Sequence, residues 1–109
     1  MSPGPSLGPP EILLVTDRSA TDGRPLVDVV ERALGGLPKT ARARRGLPRI
    51  AVQLREKDLP GRPLFDLAVK LRAVTRKVGV ELWVNDRVDV AAASGADGVH
   101  LGAGALGLD

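Results

Sequence analysis

Gln53, Arg55 and Lys57 stand at alternate positions where an apolar run, Ile50 to Leu54, gives way to charge. Asn85 and Asp86 close the next such run, Val80 to Val84. If the first run stays extended, residues two apart share a face about 6.6 Å apart, at about 3.3 Å per residue. Two cations and an amide donor over that span can grip a diphosphate or another phosphorylated ligand. Arg binds an oxyanion through two parallel N–H groups, and Lys adds a mobile point charge. Asn85 brings a further donor, while Asp86 is a hard oxygen ligand suited to Mg²⁺. The competing reading of Arg55-Glu56-Lys57-Asp58 is a solvated charged turn.

Side chains at successive strand ends must be placed by the elements before them. Ile12 to Val15 reads as a first strand, followed by Thr16-Asp17-Arg18 and a Ser/Thr/Gly loop. Asp22 is a candidate cap and Pro25 a candidate first residue for a helix carrying Leu26, Val29, Val30, Ala33, Leu34 and Leu37. Gly35-Gly36 should end it. Ile50 to Leu54 is a second strand, with Ile50, Val52 and Leu54 on one side and Ala51, Gln53, Arg55 and Lys57 on the other. Beyond Gly61, Leu64, Leu67, Ala68, Leu71, Val74 and Val78 form one helical stripe, stopped by Gly79. Val80 to Val84 is a third strand, Val88, Ala91 and Ala92 mark a short helix ended by Gly95, and Gly98 to Leu101 is a brief fourth strand. Trp83 alternates with Asn85 and should fill the interior below it. The order β-α-β-α-β-α-β predicts an α/β fold with right-handed crossovers and a parallel sheet. Residues 1–10, with four Pro among Gly and Ser, read as an extended tail, and 11–109 as one domain.

Composition narrows the function classes. The chain has 109 residues, no Cys and one His, which excludes a disulfide framework, thiolate metal sites and a multi-His zinc site within one chain. No run of about 18 apolar residues and no basic-then-apolar leader is present, so a soluble cytoplasmic protein without a membrane association is expected. The net charge is +3. Five of the 16 basic residues, Lys39, Arg42, Arg44, Arg45 and Arg49, fall between Leu37 and Arg49, leaving 11 against 13 acidic groups elsewhere, a net of −2. With 2% aromatic residues there is little for bases to stack on, so this stretch is read as a solvated basic loop over 37–49 rather than a nucleic-acid site. Gly102-Ala103-Gly104-Ala105-Leu106-Gly107 matches a dinucleotide string, but only two residues follow it here, so a helix presenting its N-terminus to a phosphate is not expected. His100, alone at a strand end, is expected to line or support a pocket.

Four runs taken in order carry a resemblance. Leu14-Val15-Thr16-Asp17-Arg18, Gln53-Leu54-Arg55-Glu56-Lys57-Asp58, Asn85-Asp86-Arg87-Val88-Asp89 and Gly95-Ala96-Asp97-Gly98-Val99-His100-Leu101-Gly102 resemble the first-half motifs of thiamine phosphate synthase and its relative, the thiazole tautomerase. The likeness extends over roughly Ile12 to Gly102, with 37–49 as an insertion. It implies a (βα)₄ half of a TIM barrel and membership of thiamine biosynthesis. In that family a pyrimidine diphosphate ionises, Mg²⁺ and basic groups stabilise the departing pyrophosphate, and a thiazole phosphate nitrogen captures the pyrimidine methylene. The resemblance makes Gln53, Arg55, Lys57 and Asn85 diphosphate contacts, Arg55 and Lys57 the catalytic cations and Asp86 a Mg²⁺ ligand.

The chain departs from the family after His-Leu-Gly, where Ala103, Gly104 and Ala105 replace Gln, an acidic residue and Asp, so the second metal carboxylate is missing. Four strands also leave two edges and one sheet face bare. Either two copies pair, as a homodimer, or a separate second-half chain completes the barrel. The alternative is a non-catalytic phosphate-ligand-binding remnant.

Overall fold

The structure is a computed structural model describing residues 10–37 and 48–101. The tail at 1–9, the basic stretch at 38–47 and the segment 102–109, with Ala103, Gly104 and Ala105, lie outside the described residues.

The strands form on short stretches centred on apolar residues, too short for a helix. The strands are β1 (Ile12–Val15), β2 (Ile50–Leu54), β3 (Glu81–Asn85) and β4 (Gly98–His100), alternating with α1 (Leu26–Leu34), α2 (Gly61–Val78) and α3 (Val88–Ser94). All pairings are parallel and the spatial order is β1-β2-β3-β4, with Val15 opposite Gln53, Gln53 opposite Trp83 and Asn85 opposite His100. Because the order never reverses, the described strands form no crevice of the doubly wound kind. The sheet is singly wound, the arrangement of a barrel wall.

The alternation of two along each strand sets what faces the helices. Val52, Leu54, Leu82 and Val84 are buried against Leu26, Val30 and Leu34 of α1, Leu64, Ala68, Leu71 and Val74 of α2, and Val90 and Ala91 of α3. On the helices these positions recur at three and four residues, one stripe apiece. The opposite sheet face carries Leu13, Val15, Gln53, Trp83 and Asn85. All four β1 side chains are exposed, at 39–48%, since β1 is an edge.

Gly79 stops α2 with φ +67°, a left-handed cap that glycine adopts without a Cβ penalty. Two sequence expectations are corrected. Asp22 does not cap α1; it sits in a turn with φ +55°, and Pro25 occupies the N-cap position without a side-chain hydrogen bond. Arg49 is no member of a solvated loop: its guanidinium pairs with Glu81, which also accepts from the Trp83 indole N–H at 3.0 Å. The pair lies at the N-terminal end of the strands, away from the candidate site.

Candidate functional site

Parallel strands end on one edge of the sheet, so the segments after β1, β2 and β3 converge. Thr16 links the first two: its backbone N–H donates to the Gln53 carbonyl at 2.9 Å, and its buried hydroxyl accepts from the Arg55 N–H at 3.0 Å. After β3, the Asp86 N–H donates to the His100 carbonyl at 2.7 Å, tying β3 to β4. Asp86 has φ +62°, a conformation that Asp tolerates better than most residues. Its carboxylate accepts from the Asn85 amide at 3.2 Å.

Two clefts open on this edge and share a wall. One, about 620 Å³, is bordered by Arg18, Arg55, Lys57 and Asp58. The other, about 240 Å³, is bordered by Lys57, Asn85, Asp86 and Arg87. Lys57 and Glu56 belong to both. Arg55 and Lys57 are exposed and have no ion-pair partner among the described residues. They are cations with unspent donors: Lys57 borders both clefts, with Asn85 and Asp86 lining one and Arg55 the other.

This differs from the geometry expected of a continuing strand. β2 ends at Leu54, and Lys57 and Asp58 form a turn, so Gln53, Arg55 and Lys57 do not share one extended face. Gln53 is buried, on the sheet face away from the helices, and borders neither cleft. His100 is exposed and contributes its carbonyl rather than its ring.

Between the two cations lies a residue that pattern reasoning passed over. The Glu56 side chain is only 5% exposed, and its Oε1 accepts from both the backbone N–H and the Nε of Arg18, each at 3.1 Å. Arg18 also donates through Nη2 to Asp58. That hydrogen bond raises the Arg18 pKa and holds the Asp58 carboxyl below the usual carboxylate range. The signal available in the sequence was an acidic residue between two cations, with an Arg at the preceding strand end.

Among the described residues no cluster of three or more His, Cys, Asp or Glu side chains could cage a metal ion. Mg²⁺ does not need one, since it commonly binds through one or two carboxylates plus substrate phosphates and water. Asp86, beside a cation-lined cleft, fits that pattern. No helix of the described residues is long and apolar enough to cross a membrane.

Comparison with known proteins agrees with the four motifs. The family model for thiamine monophosphate synthase matches residues 12–109. A thiamine-phosphate synthase of Solidesulfovibrio magneticus is 46% identical over 93 residues, covering 85% of this chain and 39% of the relative. One from Roseiflexus castenholzii is 45% identical over 91 residues, covering 84% and 35%. A solved thiamine phosphate pyrophosphorylase from Pyrococcus furiosus superposes with a TM-score of 0.63 at 35% identity, over 81% of this chain and 37% of that one. The chain thus spans less than two fifths of the length of these relatives.

Proposed function

The chain belongs to the thiamine monophosphate synthase family, and from that premise we propose that it forms the diphosphate-binding part of a thiamine phosphate synthase. The reaction joins a pyrimidine diphosphate to a thiazole phosphate. The bond from the pyrimidine methylene to the diphosphate oxygen breaks, its electron pair leaving with pyrophosphate, and the thiazole nitrogen supplies the pair for the new C–N bond.

The observation that carries this reading is the Lys57 ridge, with Arg55 in one cleft and Asn85 and Asp86 in the other. Negative charge grows on the leaving diphosphate as its bond breaks, so donors fixed in place beforehand lower the barrier. Arg55 and Lys57 take that role in this reading, with Asn85 holding an oxygen by its amide. Asp86 would hold Mg²⁺, which supplies further neutralisation of the leaving group. Gln53, buried below the ridge, would meet a ligand only on the open face of the sheet.

Completion of the barrel is part of the proposal: a second copy, or a separate chain carrying the other half, covers the open face and the edges. Exposure of every β1 side chain supports it. Cytoplasmic action in thiamine biosynthesis is the setting this reading implies.

The test is release of pyrophosphate from the pyrimidine diphosphate, with thiazole phosphate and Mg²⁺, by the chain alone and with a co-expressed second-half chain. Turnover that falls at least tenfold in Arg55→Ala and in Lys57→Ala is expected. Pyrophosphate binding without turnover in either assembly would replace the enzyme with a phosphate-ligand binder.

A further inference from the structure

Three cations border the larger cleft, and only two of them are unpaired. Arg55 and Lys57 have no ion-pair partner among the described residues, while Arg18 is engaged by Glu56 and Asp58. Its two acidic partners differ sharply. Glu56 is 5% exposed and Asp58 is 73% exposed.

That asymmetry decides which bond can exchange. Glu56 accepts two hydrogen bonds from Arg18 through Oε1, and its Oε2 is buried with no hydrogen-bond partner. Pulling Arg18 away would leave the buried Glu56 carboxylate without its cation. Releasing Asp58 returns an exposed carboxylate to water, which solvates it at little cost. A guanidinium fixed through Nε can therefore trade its Nη2 partner with little movement. A phosphate oxygen accepts the same charge-assisted hydrogen bond as a carboxylate oxygen, from a group that carries more charge.

Resting on the reading that Arg55 and Lys57 hold a diphosphate, the geometry points to Arg18 as a third cation of that site: Glu56 holds it in place, and a phosphate oxygen displaces Asp58 from its outer nitrogen. Glu56 is then a positioning residue, acting on the ligand only through Arg18. Asp58 is a built-in competitor, keeping the guanidinium occupied until an anion of higher charge arrives. The ligand class is a diphosphate or a phosphorylated compound long enough to touch both Arg55 and Arg18.

The experiment measures the affinity of the chain for inorganic pyrophosphate by calorimetry, in wild type, Asp58→Asn, Arg18→Gln and the double variant. Asp58→Asn should bind at least threefold more tightly, and Arg18→Gln at least fivefold more weakly. In the Arg18→Gln background the gain from Asp58→Asn should vanish. An equal gain in both backgrounds would mean that Asp58 acts only as a nearby charge, and would overturn the inference, as would unchanged affinity in Arg18→Gln. Should Arg18→Gln fail to fold, Arg18→Lys takes its place. Its single ammonium cannot span Glu56 and a phosphate as the fork does, so the same loss of coupling is expected. Arg55→Ala separates the two levels: pyrophosphate binding that needs Arg55 but ignores Arg18 and Asp58 sinks this inference alone. Binding that is absent, or indifferent to Arg55 and Lys57, removes the diphosphate reading and this inference together.

Discussion

A Cβ added at Gly98 would stand 3.0 Å from Cδ2 of Trp83, because the indole lies against the bare backbone of the neighbouring strand. The indole's other tie is to Glu81, which is itself held by Arg49. Gly98→Ala therefore forces the ring to shift against this network. Crowding of this kind costs about 1–3 kcal/mol. Chemical denaturation should show that loss, with Trp83 fluorescence altered in the folded state, while Gly36→Ala, which meets open space, serves as the neutral comparison.

Asp97 works at the opposite end of β4 from the candidate site. One oxygen, Oδ2, accepts from the backbone N–H of Leu82 at 2.8 Å and from Arg72 at 2.7 Å, joining α2, β3 and the approach to β4. Asp97→Ala leaves a fully buried residue's N–H without its acceptor and Arg72 without its carboxylate. The expected destabilisation is about 1–3 kcal/mol, read from urea unfolding. Pyrophosphate affinity of the folded fraction should stay within twofold of wild type.

Asp86 separates conformation from charge. Left-handed backbone costs most L residues about 1–2 kcal/mol but Asn and Asp less. Asp86→Asn should keep wild-type stability and lose the Mg²⁺-dependent part of pyrophosphate binding. Asp86→Ala should lose both, with a melting temperature lower by several degrees. Equal Mg²⁺ dependence in wild type and Asp86→Asn would remove Asp86 as the metal ligand.

Acid titration gives a signed test at Asp89. Hydrogen bonding from the Arg87 side chain, at 2.8 and 3.0 Å, lowers the Asp89 pKa from 3.8 to about 2. The folded carboxyl binds its proton less readily than the unfolded one. Its stabilising effect is thus complete above pH 3.8 and fades as pH falls towards about 2. Carboxyl carbon NMR should find the low midpoint in wild type and an upward shift in Arg87→Gln.

How much the sequence disclosed follows from what each signal depends on. β1, β2, α2 and the Gly79 stop were legible because apolar spacing and a left-handed glycine are local properties. Parallel pairing followed from the alternation of elements. The turn at Lys57 was not legible: the alternation Gln53, Arg55, Lys57 continues in the sequence, but the chain bends to bury Glu56 against Arg18, 38 residues away. Arg49 misled for a similar reason. Its charge belongs with a basic run along the chain and with Glu81 in space. Asp22 has the residue type of a cap, yet the turn it enters puts Pro25 at the helix start.

The unbroken strand order has a consequence for how the molecule is made and unmade. Every strand pairs only with the one before and after it, and each helix packs on its sequence neighbours. Each new βα unit therefore meets its docking surface already in place as the chain leaves the ribosome, and few long loops must close. The same linear dependence lets the molecule fray from its ends. The β4–α3 end can open while β1, β2 and α1 stay paired, so amide protons of β2, flanked by strands on both sides, should be among the last of the sheet to exchange, well after those of the exposed turn at Lys57.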